Sequence, residues 1–138
     1  MPKRTQQQQV GDGGENFVGN YLRQQGWQIL SQQWHCRWGE LDLVARKGSV
    51  LAFVEVKTRR SGNWDETGLL AVHGDKQKKI IKTALIYLSQ QQPSLAADLE
   101  YRFDVALVQH SISPKGDLIW QLEQYIPAAF ELSQGGLY

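Results

Sequence analysis

Disulfides cannot hold this chain together, because its 138 residues include only one cysteine, Cys36. A lone thiol closes no internal bridge, which points to a reducing compartment, and the cytoplasm is the expected location. No run of 18 apolar residues occurs, so a membrane-spanning helix is not expected. The opening MPKRTQQQQ has a basic pair but no apolar stretch behind it, so it does not read as a secretory signal. A large charge excess is also missing. The net charge is +1, and any footprint for nucleic acid must therefore be local. Internal repeats are absent. No second His or Cys lies at ligand spacing from His35-Cys36, which argues against a zinc site.

What is present suits one globular domain. Apolar residues make up 41% and charged residues 21%, enough for a real core. Residues 1–10 are polar and glutamine-rich and read as a flexible tail, leaving 11–138 as the single domain. A first helix is expected over 11–25, capped by Asp12, with Phe17, Val18, Tyr21 and Leu22 at helical spacing and Gly26 as its stop. A strand follows over 27–34. A second helix should start at Asp75 and end before Pro93, with Ile80, Ile81, Ala84, Leu85 and Leu88 as its apolar face. Residues 101–109 read as a strand with Phe103, Val105 and Leu107 on one side, and Arg102 and Asp104 as an ion pair on the other. A last strand is expected over 118–126, antiparallel to it.

Residues 39–60, GELDLVARKGSVLAFVEVKTRR, carry the chemistry. Leu41, Leu43 and Ala45 alternate with Glu40, Asp42 and Val44, which predicts a strand with one buried face. The run VLAFVEVK is rich in β-branched and aromatic residues and predicts its partner. With Gly48-Ser49 as a two-residue loop, Lys47 faces Val50, Asp42 faces Glu55 and Glu40 faces Lys57. Opposed carboxylates about 5 Å apart repel unless a cation sits between them. Lys57 lies on the same face as Glu55. The arrangement is costly as a scaffold and sensible as a divalent-metal site with a lysine beside it.

Other residues have a functional and a structural reading side by side. Glu15 on the first helix either supports the helix dipole or points toward the hairpin face. Arg59 and Arg60 open a Gly/Asn/Asp-rich loop that carries Trp64, which suits either a nucleic-acid contact or a solvated loop. Lys76, Lys78, Lys79 and Lys82 crowd the start of the second helix, where anions are favoured, although lysine runs are commonly just solvated faces. Gln77 falls in the middle of that helix's apolar face and is either wet or directed at a catalytic face.

The combination of Gly14-Glu15, Gly39-Glu40-Leu41-Asp42-Leu43, Phe53-Val54-Glu55-Val56-Lys57-Thr58-Arg59, Lys76-Gln77 and Arg102-Phe103-Asp104-Val105 resembles the PD-(D/E)xK nuclease superfamily. More narrowly it resembles the YraN-like bacterial family, related to Holliday junction resolvases. Leu41 departs from the pattern, standing where the superfamily's name has proline. The resemblance implies an α/β fold with a restriction-endonuclease-like αβββαβ core, a mixed central sheet flanked by helices. It also implies Mg²⁺, with Mn²⁺ as the alternative, bound by Asp42, Glu55 and the carbonyl of Val56 with help from Glu15.

The expected activity is metal-dependent endonucleolytic hydrolysis of phosphodiesters, in structured or branched DNA before RNA. Asp42, Glu55, Lys57 and Glu15 would be catalytic, and Arg59, Arg60, Lys76, Gln77 and Lys79 would contact nucleic acid. Action on two strands of a junction calls for a homodimer. Two rivals share these residues. One is a nucleic-acid-binding module that keeps the fold without cutting. The other is a structural ion cluster of Glu40, Glu55 and Lys57.

Overall fold

The computed structural model describes residues 6–61, 74–91 and 98–131. Its elements run α1 (Gln6–Gln24), β1 (Gln28–Cys36), β2 (Gly39–Lys47), β3 (Val50–Arg60), α2 (Gly74–Ser89), β4 (Glu100–Ile112) and β5 (Leu118–Phe130). This is the expected αβββαβ core with one more strand. The strands form one sheet in chain order, and only the β3–β4 pair is parallel. That pair is bridged by α2, as a parallel crossover requires.

Both faces of the sheet are covered. Val18 and Leu22 of α1 pack with Leu43, Ala45, Ala52, Val54, Ala106 and Val108 on one side. Ile80, Ile81, Ala84 and Tyr87 of α2 pack with Val44, Leu51, Phe53, Phe103, Val105 and Leu107 on the other. A sheet covered twice reads as continuous apolar runs rather than clean alternation, which is why VLAFV is buried on both faces. None of the described helices is long and apolar enough to cross a membrane.

Several expectations need correction. α1 begins at Gln6, not 11, so residues 6–10 belong to a helix, and Asp12 lies inside it rather than capping it. Glutamine is a good helix former, and no breaker separates the run from Gly11. The end of α1 is as expected: Trp27 N–H donates to Leu22 O at 2.9 Å and Gly26 N–H to Arg23 O at 3.0 Å, a closed C-terminal cap. On α2, Leu85 is 46% exposed, while Thr83 and Tyr87 are buried in its place. Tyr87 holds its hydroxyl 3.0 Å from Ser31 Oγ, which satisfies the polar end of a buried ring.

β5 runs on to Phe130, past Pro127. It is an edge strand, where a missing N–H is tolerated. Its end is fastened by the Arg102–Asp104 pair, which is present and is joined by two further groups. Asp104 has no exposed surface. It accepts from Arg102 Nε at 2.9 Å and Nη2 at 3.0 Å, from Tyr125 Oη at 2.6 Å and from Ala128 N at 2.9 Å. Four donors satisfy a buried carboxylate. Beside this anchor Phe130 stacks on Phe103 with ring centres 5.0 Å apart. Asp104→Ala leaves the Arg102 guanidinium and the Tyr125 hydroxyl without their acceptor, so it should destabilise the fold by about 3 kcal/mol. Urea unfolding measures this, and a midpoint equal to the parent's would show that Asp104 anchors nothing.

Candidate functional site

The two-residue loop sets the hairpin as expected. Lys47 pairs with Val50, Arg46 with Leu51, Ala45 with Ala52, Val44 with Phe53 and Leu43 with Val54. The ladder then stops. Asp42 and Glu55 are not a cross-strand pair, nor are Glu40 and Lys57. β3 stays paired with β4 along its whole length, while β2 follows β1 down to Gly39 opposite Cys36. The two central strands therefore part company after Leu43. Leu41 moves with this divergence: it packs in the α2-side core, while Leu43 and Ala45 pack on the α1 side, so the three do not share one face.

Asp42 sits in the gap. Its Oδ2 accepts from Val56 N–H at 2.8 Å, so a carboxylate replaces the backbone partner that β3 would have had. Burial pushes its pKa up to about 9, with the nearby Glu55 carboxylate as the next cause and Glu15 adding to it. Glu15 reaches the same point from α1. Burial raises its pKa as well, opposed by hydrogen bonds with Gln33 and Asp42. Its Oε2 is buried without a hydrogen-bond partner. The approach of α1 depends on Gly14, where a Cβ would come within 2.2 Å of Thr58 Cγ2 on β3. Any larger residue would lift the helix and carry Glu15 away from Asp42.

Glu55 faces two lysines. Lys76 Nζ lies 3.0 Å and Lys57 Nζ 3.8 Å from its Oε1. Lys76 stands on the first turn of α2, so this helix delivers a cation directly to the strand. Burial and the adjacent Lys76 ammonium hold the Lys57 pKa below the ordinary lysine value. Glu40 is exposed and pairs across to His35, so the ion cluster contains Lys76 where Glu40 was expected.

Among the described residues, no three His, Cys, Asp or Glu side chains are grouped tightly enough to form a ready-made metal site. The donor chemistry nevertheless fits a hard divalent cation. Asp42, Glu15 and Glu55 are all oxygen donors, Asp42 is driven toward protonation by burial and by the Glu55 charge, and Glu15 Oε2 is an orphan. A cation would satisfy the orphan and relieve the repulsion.

The remaining expected residues divide. Gln77 is half-buried and Lys79 exposed on the same end of α2. Arg60 is exposed at the far end of β3. Arg59 pairs with Glu123 of β5. An arginine beside an acid on the adjoining sheet face finds that acid first, and the distance from 59 to 123 hid the pairing in the sequence. Trp64 lies outside the described residues. Gln33, which supports Glu15, carried no signal beyond a backbone at φ 54°, a value invisible in sequence.

Comparison with known proteins gives the family. A family model described as "Uncharacterised protein family UPF0102" matches residues 14–108, a span that includes Glu15, Asp42, Glu55, Lys57 and Lys76. A "UPF0102 protein" of Synechococcus sp. (strain JA-3-3Ab) is 54% identical over 132 residues, covering 96% of this chain and 98% of the relative. Another from Trichormus variabilis is 43% identical over 144 residues, covering 88% and 94%. The protein tll1737 of Thermosynechococcus vestitus is 46% identical over 124 residues, covering 89% and 94%.

The raised Asp42 pKa makes stability depend on pH. An acid that holds its proton more tightly when folded contributes fully below its ordinary value of 3.8, and that contribution declines as pH rises toward about 9. Metal-free protein should lose stability across that window, by up to about 1.4 kcal/mol per pH unit for one proton. Asp42→Asn removes the titration and keeps an acceptor for Val56 N–H, so the slope should flatten. Urea unfolding at stepped pH in the presence of chelator checks this, and identical slopes for parent and variant would refute the assignment.

Proposed function

This chain belongs to the UPF0102 family, and on that premise we propose that it is a metal-dependent endonuclease that hydrolyses phosphodiester bonds in nucleic acid. The observation that carries the reading is Asp42 held in the gap between two parted strands, with Glu15 and Glu55 acting on it and Lys57 on the neighbouring strand face. A scaffold gains nothing from burying the Asp42 carboxylate beside the charges of Glu55 and Glu15. A site that takes a cation does.

Asp42, Glu55, the Val56 carbonyl and Glu15 would hold Mg²⁺. When bound, such an ion polarises a phosphoryl oxygen and lowers the pKa of a coordinated water. The chain's own groups do the rest. Lys57, its ammonium weakened by burial and by Lys76, orients the attacking water and then faces the charge that gathers on the five-coordinate phosphorus. Lys76 fixes the Glu55 carboxylate through Oε1. Val56 N–H fixes the rotamer of Asp42. Water forms the new P–O bond, the ester P–O bond breaks, and the leaving oxygen collects a proton.

A second reading has one observation in its favour. Glu55 is bound by two lysines and no three carboxylates are gathered among the described residues. A module that binds nucleic acid without cutting would show salt-dependent affinity and no need of metal.

A cleavage panel of junction, flap, single-stranded and duplex DNA, with RNA counterparts, in Mg²⁺ and Mn²⁺ separates the two. Asp42→Asn, Glu55→Gln and Lys57→Ala should each reduce cleavage by roughly 100-fold or more while the variants stay folded, with the metal-free midpoint of Asp42→Asn at or above the parent's. Mg²⁺ should also raise the thermal midpoint of the parent and not of Asp42→Asn. Cleavage undiminished in all three variants would remove the enzymatic reading.

A further inference from the structure

Four tryptophans are described, and three of them serve the core. Trp34 packs edge-on to Tyr87, while Trp27 and Trp120 pack on the α1-side cluster. Trp38 does not. It is 47% exposed and sits in the two-residue turn between β1 and β2. Among the described residues its ring meets no other aromatic ring. It meets the Arg37 guanidinium 4.9 Å from its centre and the Lys82 ammonium 4.1 Å from its centre. A half-exposed indole between two cations contributes little burial to the fold.

The turn that carries Trp38 is fixed. Cys36 pairs with Gly39 across it, and Trp38 N lies 3.4 Å from Cys36 Sγ. A Cβ on Gly39 would lie 2.6 Å from Thr83 Oγ1, so the turn is pressed against α2. Thr83 in turn donates to Lys79 O at 2.8 Å and does not yield easily. The indole is therefore presented from a rigid mount.

Trp38 lines a cleft of about 450 Å³ together with Arg37, Lys76, Lys79 and, from the acid cluster, Glu55. A cleft of that size takes one small molecule or one nucleotide and not a paired helix. Its cations suit phosphate and its indole suits a flat π-face. In a duplex the faces of a base are covered by its neighbours, whereas an unpaired base offers them. We infer that Trp38 is a stacking platform for an unpaired base of the nucleic-acid strand whose backbone passes the Glu55–Lys57 site. The inference rests on the reading of the chain as acting on nucleic acid and narrows it to substrates with an unpaired nucleotide beside the scissile bond. Arg37 and Lys79 accompany the stacked nucleotide as phosphate contacts.

Binding measured in chelator, where no cleavage occurs, tests this apart from catalysis. The probes are a labelled thymidine oligomer of about ten nucleotides, its uridine counterpart and a blunt duplex of equal length. Trp38→Leu, which keeps an apolar side chain without a π-face, should weaken the single-stranded probes by roughly 10-fold and leave the duplex unchanged. Trp38→Phe should retain most of the affinity. Quenching of intrinsic fluorescence by the single strand should also shrink in Trp38→Phe, a readout that needs no loss of binding. Unaltered single-strand affinity in Trp38→Leu, or an equal loss on duplex and single strand, overturns the platform. A selective loss on the thymidine or the uridine probe says which sugar the stacked strand carries, and supports it either way. Lys57→Ala keeps the two ideas separate. If metal-dependent cleavage is missing but binding depends on Trp38, the nuclease reading falls and the platform stands. If cleavage depends on Lys57 and binding ignores Trp38, the reverse holds.

Discussion

A single hydrogen bond, from Val56 N–H to Asp42 Oδ2 at 2.8 Å, decides how the centre of this sheet is built. A β-ladder joins strands by backbone groups alone, and it leaves no room for a side chain between them. Here the ladder ends at Leu43–Val54 and a carboxylate enters the next position. β2 can then follow β1 and β3 can follow β4, so the sheet opens on the side where the acids lie. Without that opening Asp42 would stand on a sheet face like any other strand residue. With it, Asp42 lies where α1 can reach it with Glu15 and β3 can reach it with the field of Glu55.

The helices complete what the gap begins, and each does so through a specific packing constraint. α1 comes close enough only because Gly14 presents no Cβ to Thr58. α2 is the crossover of the parallel β3–β4 pair, and its first turn lies beside the middle of β3, where Glu55 and Lys57 are. Lys76 answers Glu55 there. The charge balance that results is uneven. Glu55 has two lysines at its Oε1, whereas Asp42 is bonded by Val56 N–H and Glu15 by Gln33, and the same two lysines reach Asp42 only through their field. The deficit of positive charge lies on the Asp42 side of the group, and there lies the orphaned Glu15 Oε2.

Much of this was legible in the sequence, and the misses have physical causes. Gly48-Ser49 set the hairpin register because a two-residue loop leaves only one. Element order, the α1 face and the Arg102–Asp104 pair followed from local spacing. Beyond Leu43 the register failed because pairing there depends on which neighbour each strand prefers, and β4, which holds β3, is remote in sequence. The burial of Tyr87 in place of Leu85 depended on a hydroxyl partner, Ser31, in another element. The pairing of Arg59 with Glu123 was hidden because Glu123 is distant along the chain. The extension of β5 past Pro127 relied on Asp104 and Phe103, which hold the far end of an edge strand that propensity alone would have ended. Local patterns were readable, and contacts between distant elements were not.

The cleft beside the acids shows how one packing requirement serves two ends. Gly39 lets the β1–β2 turn rest against Thr83, and that contact is needed simply to close the α2 side of the fold. The same contact holds Trp38 out of the core and over the cleft that Glu55 and Lys76 line. The other described tryptophans, Trp27, Trp34 and Trp120, are half-buried against the core. Instead the Trp38 ring meets the Arg37 and Lys82 cations, which a phosphate-bearing ligand can recruit. The group that would recognise a base therefore stands on the same rigid frame as the groups that would act on its phosphate.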